Sequence, residues 1–297
     1  MIEVQGLTLT YPSGKGVFDL NFVVKNGEVA GYLGPNGAGK TTTIRALLGF
    51  MKPDKGSCSI KGLDCSEDAP KIQKSLGYIP GEITFLDGMN GDEFLNFMCD
   101  MRGTRNLTRQ KQLIDMFELD TKGRIKRFSK GMKQKVGIVT AFMHDPEVLI
   151  LDEPTSGLDP LMQNRFVELI LEEKKKGKTI LMSSHMFEEV ERTSDTVLII
   201  KDGRIVKQTD VQSLKETQRK GYILKPKEPE EAYEVLTAAG YHAVRAEGDT
   251  LEVFIKNEEV DRFLKTAARF TVLNLDVKSQ SLEDIFMHFY SKEGIQA

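Results

Sequence analysis

Long apolar runs are absent from this chain of 297 residues. Stretches such as Val148–Leu151 and Val197–Ile200 are short, whereas a membrane-spanning helix needs about 20 apolar residues. The chain is therefore expected to cross no membrane by itself, although it can dock on something that does. Cysteine is scarce. Cys58, Cys65 and Cys99 are the only three, with no metal-ligand clustering. An odd number without a secretory signal fits a reducing compartment, and the three read as small buried or surface residues rather than redox centres. An excess of positive charge is also missing. A net charge of −3 gives no sign of a protein dedicated to nucleic acid. The first residues, Met1-Ile2-Glu3-Val4-Gln5, alternate like a strand and lack the basic-then-apolar pattern of a signal peptide. No internal repeat and no low-complexity segment is found.

What is present is ordinary globular composition, 40% hydrophobic and 29% charged, on a length that allows one large domain and a smaller one. One stretch organises the rest: Gly34-Pro35-Asn36-Gly37-Ala38-Gly39-Lys40-Thr41-Thr42. It has the G-x-x-x-x-G-K-[ST] form of a phosphate-binding loop. A buried strand, Glu28–Leu33, is expected before it and a helix, Thr43–Leu48, after it. In that context the glycines let successive N–H groups point at an anion, and the helix start adds the positive end of its dipole. Lys40 reaches the β- and γ-phosphates, and the Thr41 hydroxyl is placed for Mg²⁺.

The flanking pattern predicts an α/β protein. Alternation through Phe18, Leu20, Phe22 and Val24 reads as a strand, and Asn26-Gly27 as a hairpin-type turn, so an antiparallel sheet is expected at the N-terminus. Residues from about 85 to 142 are expected to hold a helical subdomain, with Phe94, Leu95, Leu113 and Phe117 at helical spacing. Strands at 147–151, 179–183 and 196–201 alternate with helices at 161–176 and 186–193, which argues a mostly parallel sheet. The pattern breaks into polar residues at about 207–220. Beyond it the order βαββαβα, ending in a helix at 281–290, predicts a small ferredoxin-like domain. The expected domains are thus 1–215 and 221–297.

Four further stretches narrow the chemistry. The strand Val148–Leu151 delivers Asp152 and Glu153 at its C-terminal end, where α/β sites lie. Asp152 can hold Mg²⁺ directly or through water, and Glu153 can orient the water that attacks the γ-phosphate. Phe128-Ser129-Lys130-Gly131-Met132 places a serine and a glycine at a helix start, which is either a second anion site or simply a capped helix. Ser156-Gly157-Leu158-Asp159 reads alone as a turn. His185, after the strand that ends at Ser183, can bond a phosphate oxygen or the attacking water.

Taken together and in this order, these motifs resemble the nucleotide-binding subunit of an ABC transporter, over residues 1 to about 215. The Walker A loop is Gly34–Thr42, Walker B is 148–152, and Glu153 stands at the catalytic glutamate. Phe128–Met132 is a variant of the LSGGQ signature, Ser156–Asp159 is the D-loop, and His185 is the H-loop residue. Tyr11 stands where the family stacks an aromatic on adenine. The variant Ser-Lys-Gly-Met-Lys-Gln and the tail Ser281–Phe286 resemble two-component bacterial exporters of drug, antibiotic and sodium-efflux type. The resemblance implies an ATPase using ATP and Mg²⁺. It implies a head-to-tail dimer, of like or unlike subunits, with Ser129, Lys130, Gly131 and Met132 serving the ATP of the other copy. It further implies a separate transmembrane permease at the cytoplasmic face of the membrane, coupled through the region near Gly81–Phe97. Glu153, His185 and Lys40 carry the catalysis. The family's glutamine after Tyr78-Ile79-Pro80 is missing: Gly81 stands there, and Glu82 is the candidate that takes its place at Mg²⁺. An ABC-type ATPase that moves no solute and an ATP-gated regulatory module stay as alternatives.

Overall fold

The computed structural model describes residues 1–279 apart from 87, 104–105, 214–219 and 256. The expected helix at 281–290 lies outside the described residues. Two compact units are formed, Met1–Val211 and Gln212–Ala297.

In the first unit, β1 (Ile2–Thr10) pairs antiparallel with β2 (Gly16–Val24) and with β4 (Lys55–Ile60), which pairs in turn with β5 (Leu63–Asp64). This is the expected N-terminal antiparallel sheet. Leu20, Phe22 and Val24 of β2 alternate and are buried as expected, but an irregularity in the pairing at Asp19, which has φ 53°, shifts the pattern, so Val17 rather than Phe18 is the next buried residue. The Asn26-Gly27 turn does not close a hairpin. It carries the chain from this sheet into a second one, where β3 (Val29–Leu33) lies parallel between β8 (Thr179–Ser184) and β9 (Thr196–Lys201). That sheet has six strands in the order β10-β9-β3-β8-β7-β6, with β6 at Leu76–Ile79 and β7 at Val148–Asp152. Every pair in it is parallel except β9 with β10 (Arg204–Asp210). β10 occupies part of the stretch expected to be irregular. Its residues are almost all exposed, so it carries no buried apolar run for a sequence reading to detect.

β3, β7 and β8 are buried at every position, as strands covered on both faces must be. Their C-terminal ends share one edge, so the loops after them converge. The helices are α1 (Lys40–Leu47), α2 (Ala69–Lys74), α3 (Gly91–Arg102), α4 (Leu107–Met116), α5 (Lys130–Phe142), α6 (Pro160–Lys175) and α7 (Phe187–Thr193). α3, α4 and α5 form the helical subdomain, with Phe94, Leu95, Leu113 and Phe117 buried as the spacing predicts. Buried Glu173 of α6 pairs with Arg109 of α4 at 2.5 Å, which ties that subdomain to the sheet core.

The second unit adds β11 (Lys220–Pro226), α8 (Pro229–Ala238), β12 (Ala243–Ala246), β13 (Thr250–Ile255), α9 (Val260–Ala267) and β14 (Val272–Ser279). Its sheet is antiparallel in the order β12-β13-β11-β14, the ferredoxin-like arrangement. It has its own core around Leu224, Leu236, Val253, Ile255 and Phe263.

Candidate active site

The loop between β3 and α1 is shaped by glycine. Gly39 is the N-cap of α1 with φ 112°, a conformation closed to other residues, and a Cβ there would meet Val17 Cγ1 at 2.6 Å. This turn sends Lys40 back under the loop. Its side chain is 6% exposed, with Nζ donating to Gly34 O at 2.5 Å and to Pro35 O at 3.4 Å. Thr41 follows, and its Oγ1 donates to Asp152 Oδ2 at 2.7 Å.

Asp152 ends β7 directly beside Ser183 of β8, its partner in the sheet register. Ser183 Oγ donates to Asp152 Oδ1 at 2.5 Å and accepts from the Glu153 N–H at 3.0 Å. Glu153 adopts φ 49°, rare for a non-glycine residue and concentrated at functional sites. This conformation turns its carboxylate toward the P-loop. Oε1 lies 3.2 Å from Lys40 Nζ, and Oε2 lies 2.5 Å from His185 Nδ1.

Two cavities open at this edge. One, of about 760 Å³, is lined by Asn36, Thr41, Asp152, Glu153, Ser156 and His185, with Gly81, Glu82 and Lys130 on its other walls. Tyr78 also lines it, and burial, with the Asp152 charge second, pushes its hydroxyl up to about 12. The other, of about 310 Å³, runs along the P-loop from Pro35 to Thr42, with Tyr11 at its rim. The Thr42 hydroxyl donates to the Tyr11 oxygen at 3.5 Å. The walls therefore bring together Tyr11, the loop, Thr41, Asp152, Glu153, Glu82 and His185. Ala38 is buried in support of the loop. Ser129 caps α5 by accepting from the Met132 N–H at 3.2 Å. Asp159 caps α6 by accepting from the Met162 N–H at 3.0 Å. Ser129, Gly131, Met132, Gly157, Leu158 and Asp159 line neither cavity of their own chain.

A Cβ added at Gly81 would stand 3.3 Å from Asp152 Oδ2. Position 81 thus faces the Asp152 carboxylate, and Glu82 supplies the neighbouring acid of the cavity wall. Ser183 carries no role in the sequence reading, and Gln134 enters it only as the last residue of the Ser-Lys-Gly-Met-Lys-Gln variant. Gln134 Nε2, buried, donates to Pro154 O at 2.7 Å and fixes α5 to the turn after Glu153. Only the sheet order, which sets β8 beside β7, identifies Ser183.

The Thr41 hydroxyl and Asp152 carboxylate are hard oxygen donors converging on one point, which fits Mg²⁺. With a buried ammonium and a phosphate-sized glycine loop beside them, they define a P-loop nucleoside-triphosphate hydrolase. Comparison with known proteins is specific. The family described as ABC transporter matches residues 17–156. The bacitracin transport ATP-binding protein BcrA of Bacillus licheniformis is 38% identical over 223 residues, 74% of this chain and 73% of that one. A solved structure of the ATP-binding subunit of an ABC transporter is 33% identical with a TM-score of 0.67, over 72% of this chain and 92% of that one. The dimeric cassette MJ0796 has the same fold, with a TM-score of 0.65 at 21% identity, over 71% of this chain and 99% of that one. The chain belongs to the ABC transporter ATP-binding proteins, and its site is that of an ATPase.

Proposed function

We propose that the chain powers a separate membrane permease of exporter type, and that it works at the cytoplasmic face of the membrane as a head-to-tail dimer. Two ATP molecules would lie in the dimer interface, each held by the P-loop of one copy and by Ser129–Met132 of the other. The observation that carries this reading is the position of Glu153, with its carboxylate between Lys40 of the P-loop and His185 beyond β8. From there Glu153 orients and polarises the water that attacks the γ-phosphate. His185 holds the Glu153 carboxylate and bonds the phosphate oxygen. Thr41 and Asp152 would hold Mg²⁺, with Glu82 at the cavity wall in place of the missing glutamine. When bound, the ion neutralises charge on the β- and γ-phosphates.

Support for the contribution in trans is local. Ser129, Gly131 and Met132 line neither cavity of their own chain. Lys130 bonds Ser156 of the D-loop at 2.9 Å, so the segment serving one ATP is tied to the turn behind the Glu153 that serves the other. Loss of the γ-phosphate contacts then opens the interface. The name of BcrA as a bacitracin transport protein supports an antibiotic as the class of cargo, whose binding site would belong to the permease. Glu153→Gln is the test. It is expected to bind ATP, lose nearly all turnover, and convert on ATP addition to a dimer by light scattering. A monomer under saturating ATP would count against the reading.

A further inference from the structure

Behind the Glu153–His185 pair lies a carboxyl that the hydrolytic chemistry above does not use. Glu189 of α7 is 5% exposed. Its Oε2 accepts from Ser184 Oγ at 2.7 Å, and the same Ser184 Oγ accepts from the Met186 N–H at 2.9 Å. One hydroxyl therefore closes the Ser184–Met186 turn that displays His185, and Glu189 holds that hydroxyl. The other oxygen, Oε1, is buried with no hydrogen-bond partner, although the Thr155 hydroxyl lies close enough to the carboxyl to favour its ionised form. Thr155 stands two residues after Glu153, and its Oγ1 also lies 4.0 Å from Met186 Sδ. Glu189 thus bonds the turn that displays His185 and shares the lining of a small cavity with Thr155 of the turn that carries Glu153.

We infer that Glu189 is a positioning residue for ATP hydrolysis, which joins the turn displaying His185 to the turn carrying Glu153 through Ser184 and Thr155. This rests on the assignment of Glu153 and His185 as the hydrolytic pair. Their charges act on its carboxyl. Burial pushes the Glu189 carboxyl up to about 7, the Glu153 charge pushes the same way, and Ser184, Thr155 and His185 pull it back. Below that pH the carboxyl is neutral, and above it a second negative charge stands behind Glu153. Other charged groups facing it are few among the described residues. Glu188 and Arg192 come from its own helix, with Arg192 Nη1 donating to Asn164 Oδ1 at 2.7 Å. α6 offers the uncharged Gln163 and Asn164 around an adjoining cavity of about 140 Å³.

The test is steady-state ATPase of the full chain with ATP and Mg²⁺, from about pH 6 to 8.5. Wild type is expected to show an inflection of kcat near the Glu189 ionisation. Glu189→Gln, which is neutral at every pH, loses that inflection and keeps KM for ATP. Thr155→Val removes only the hydroxyl that favours the ionised form, so it moves the inflection to higher pH. Glu189→Ala frees the His185 turn and lowers kcat by roughly tenfold with KM unchanged. Profiles of Glu189→Gln and Thr155→Val that superimpose on wild type would overturn the inference, as would an unchanged kcat in Glu189→Ala. Failure of the underlying assignment reads differently: Glu153→Gln and His185→Ala would then also keep full turnover.

Discussion

Lys40 is a buried ammonium whose partners are all supplied by the site itself, the Gly34 and Pro35 carbonyls and the Glu153 carboxylate. A buried charge is tolerated only when paired, so this cation is held ready for an anion rather than for solvent. Removing it from a bound phosphate costs about 2–5 kcal/mol, the usual loss when one partner of a buried charge pair is truncated. Lys40→Ala is therefore expected to weaken ATP binding by roughly 30-fold or more by calorimetry. An unchanged affinity would remove the P-loop assignment. Gly81 gives a second prediction at this scale. A methyl there would stand 3.3 Å from Asp152 Oδ2 and 3.4 Å from Cγ, closer than ordinary contact, and would press an apolar group on the carboxylate proposed to hold Mg²⁺. Gly81→Ala is expected to raise the Mg²⁺ concentration for half-maximal ATPase several-fold. Glu82→Ala should do the same if Glu82 replaces the missing glutamine. If Glu82→Ala leaves both Mg²⁺ dependence and turnover at wild-type values, that role passes from Glu82 to the backbone at 81.

At the level of elements, the local signals that survive folding are those with a local cause. The P-loop, the helix after it and the acidic end of β7 are legible because glycine angles, a helix dipole and an apolar run are written in adjacent residues, although α1 begins at Lys40, three residues before the expected Thr43. β10 is not legible, because an exposed edge strand has no buried face to mark it. Asn26-Gly27 signals a hairpin-type turn, and the turn forms without closing a hairpin, since turn chemistry does not say which sheet the next strand joins. Ser183 lies inside an apolar strand and reads as packing until β8 is known to lie beside β7. α3 illustrates the legible kind. Asn90 accepts from the Glu93 N–H at 2.8 Å, and Glu93 reaches back to the Asn90 N–H at 2.8 Å, a complete capping box. Asn90→Ala should cost about 1 kcal/mol locally. The expected reading is about fivefold faster hydrogen exchange at the first-turn amides of α3, with α6 amides unchanged. Equal protection in both proteins would show that tertiary packing, not the cap, sets the start of this helix.

On the scale of the whole molecule, ATP-binding subunits of this family work with membrane permeases, and the coupling proposed above needs a surface of the first unit to receive it. A groove of about 420 Å³ is lined by Leu48, Phe50, Tyr78, Met98, Met101 and Arg102. It lies between the end of α1 and the face of α3, with Phe50 56% and Met101 70% exposed. Phe50 and Met101 share one groove, so their exposed apolar surface forms a patch that a partner can cover, and methionines adapt to varied partners. Tyr78 belongs both to this groove and to the wall of the catalytic cavity, so one strand, β6, borders the two. Arg102 of α3 fixes the helical subdomain to that strand by donating to Gln73 O at 3.2 Å and Leu76 O at 3.3 Å. A helix of the permease pressing on the groove would therefore bear on the segment that carries Gly81 and Glu82. Replacing the exposed thioether with a charge should break this contact without touching the nucleotide. Met101→Glu is expected to keep the ATPase rate of the isolated chain within about twofold, yet to stop the chain sedimenting with membranes that hold its permease. If the variant still sediments and its ATPase still responds to those membranes, the permease docks elsewhere on the chain.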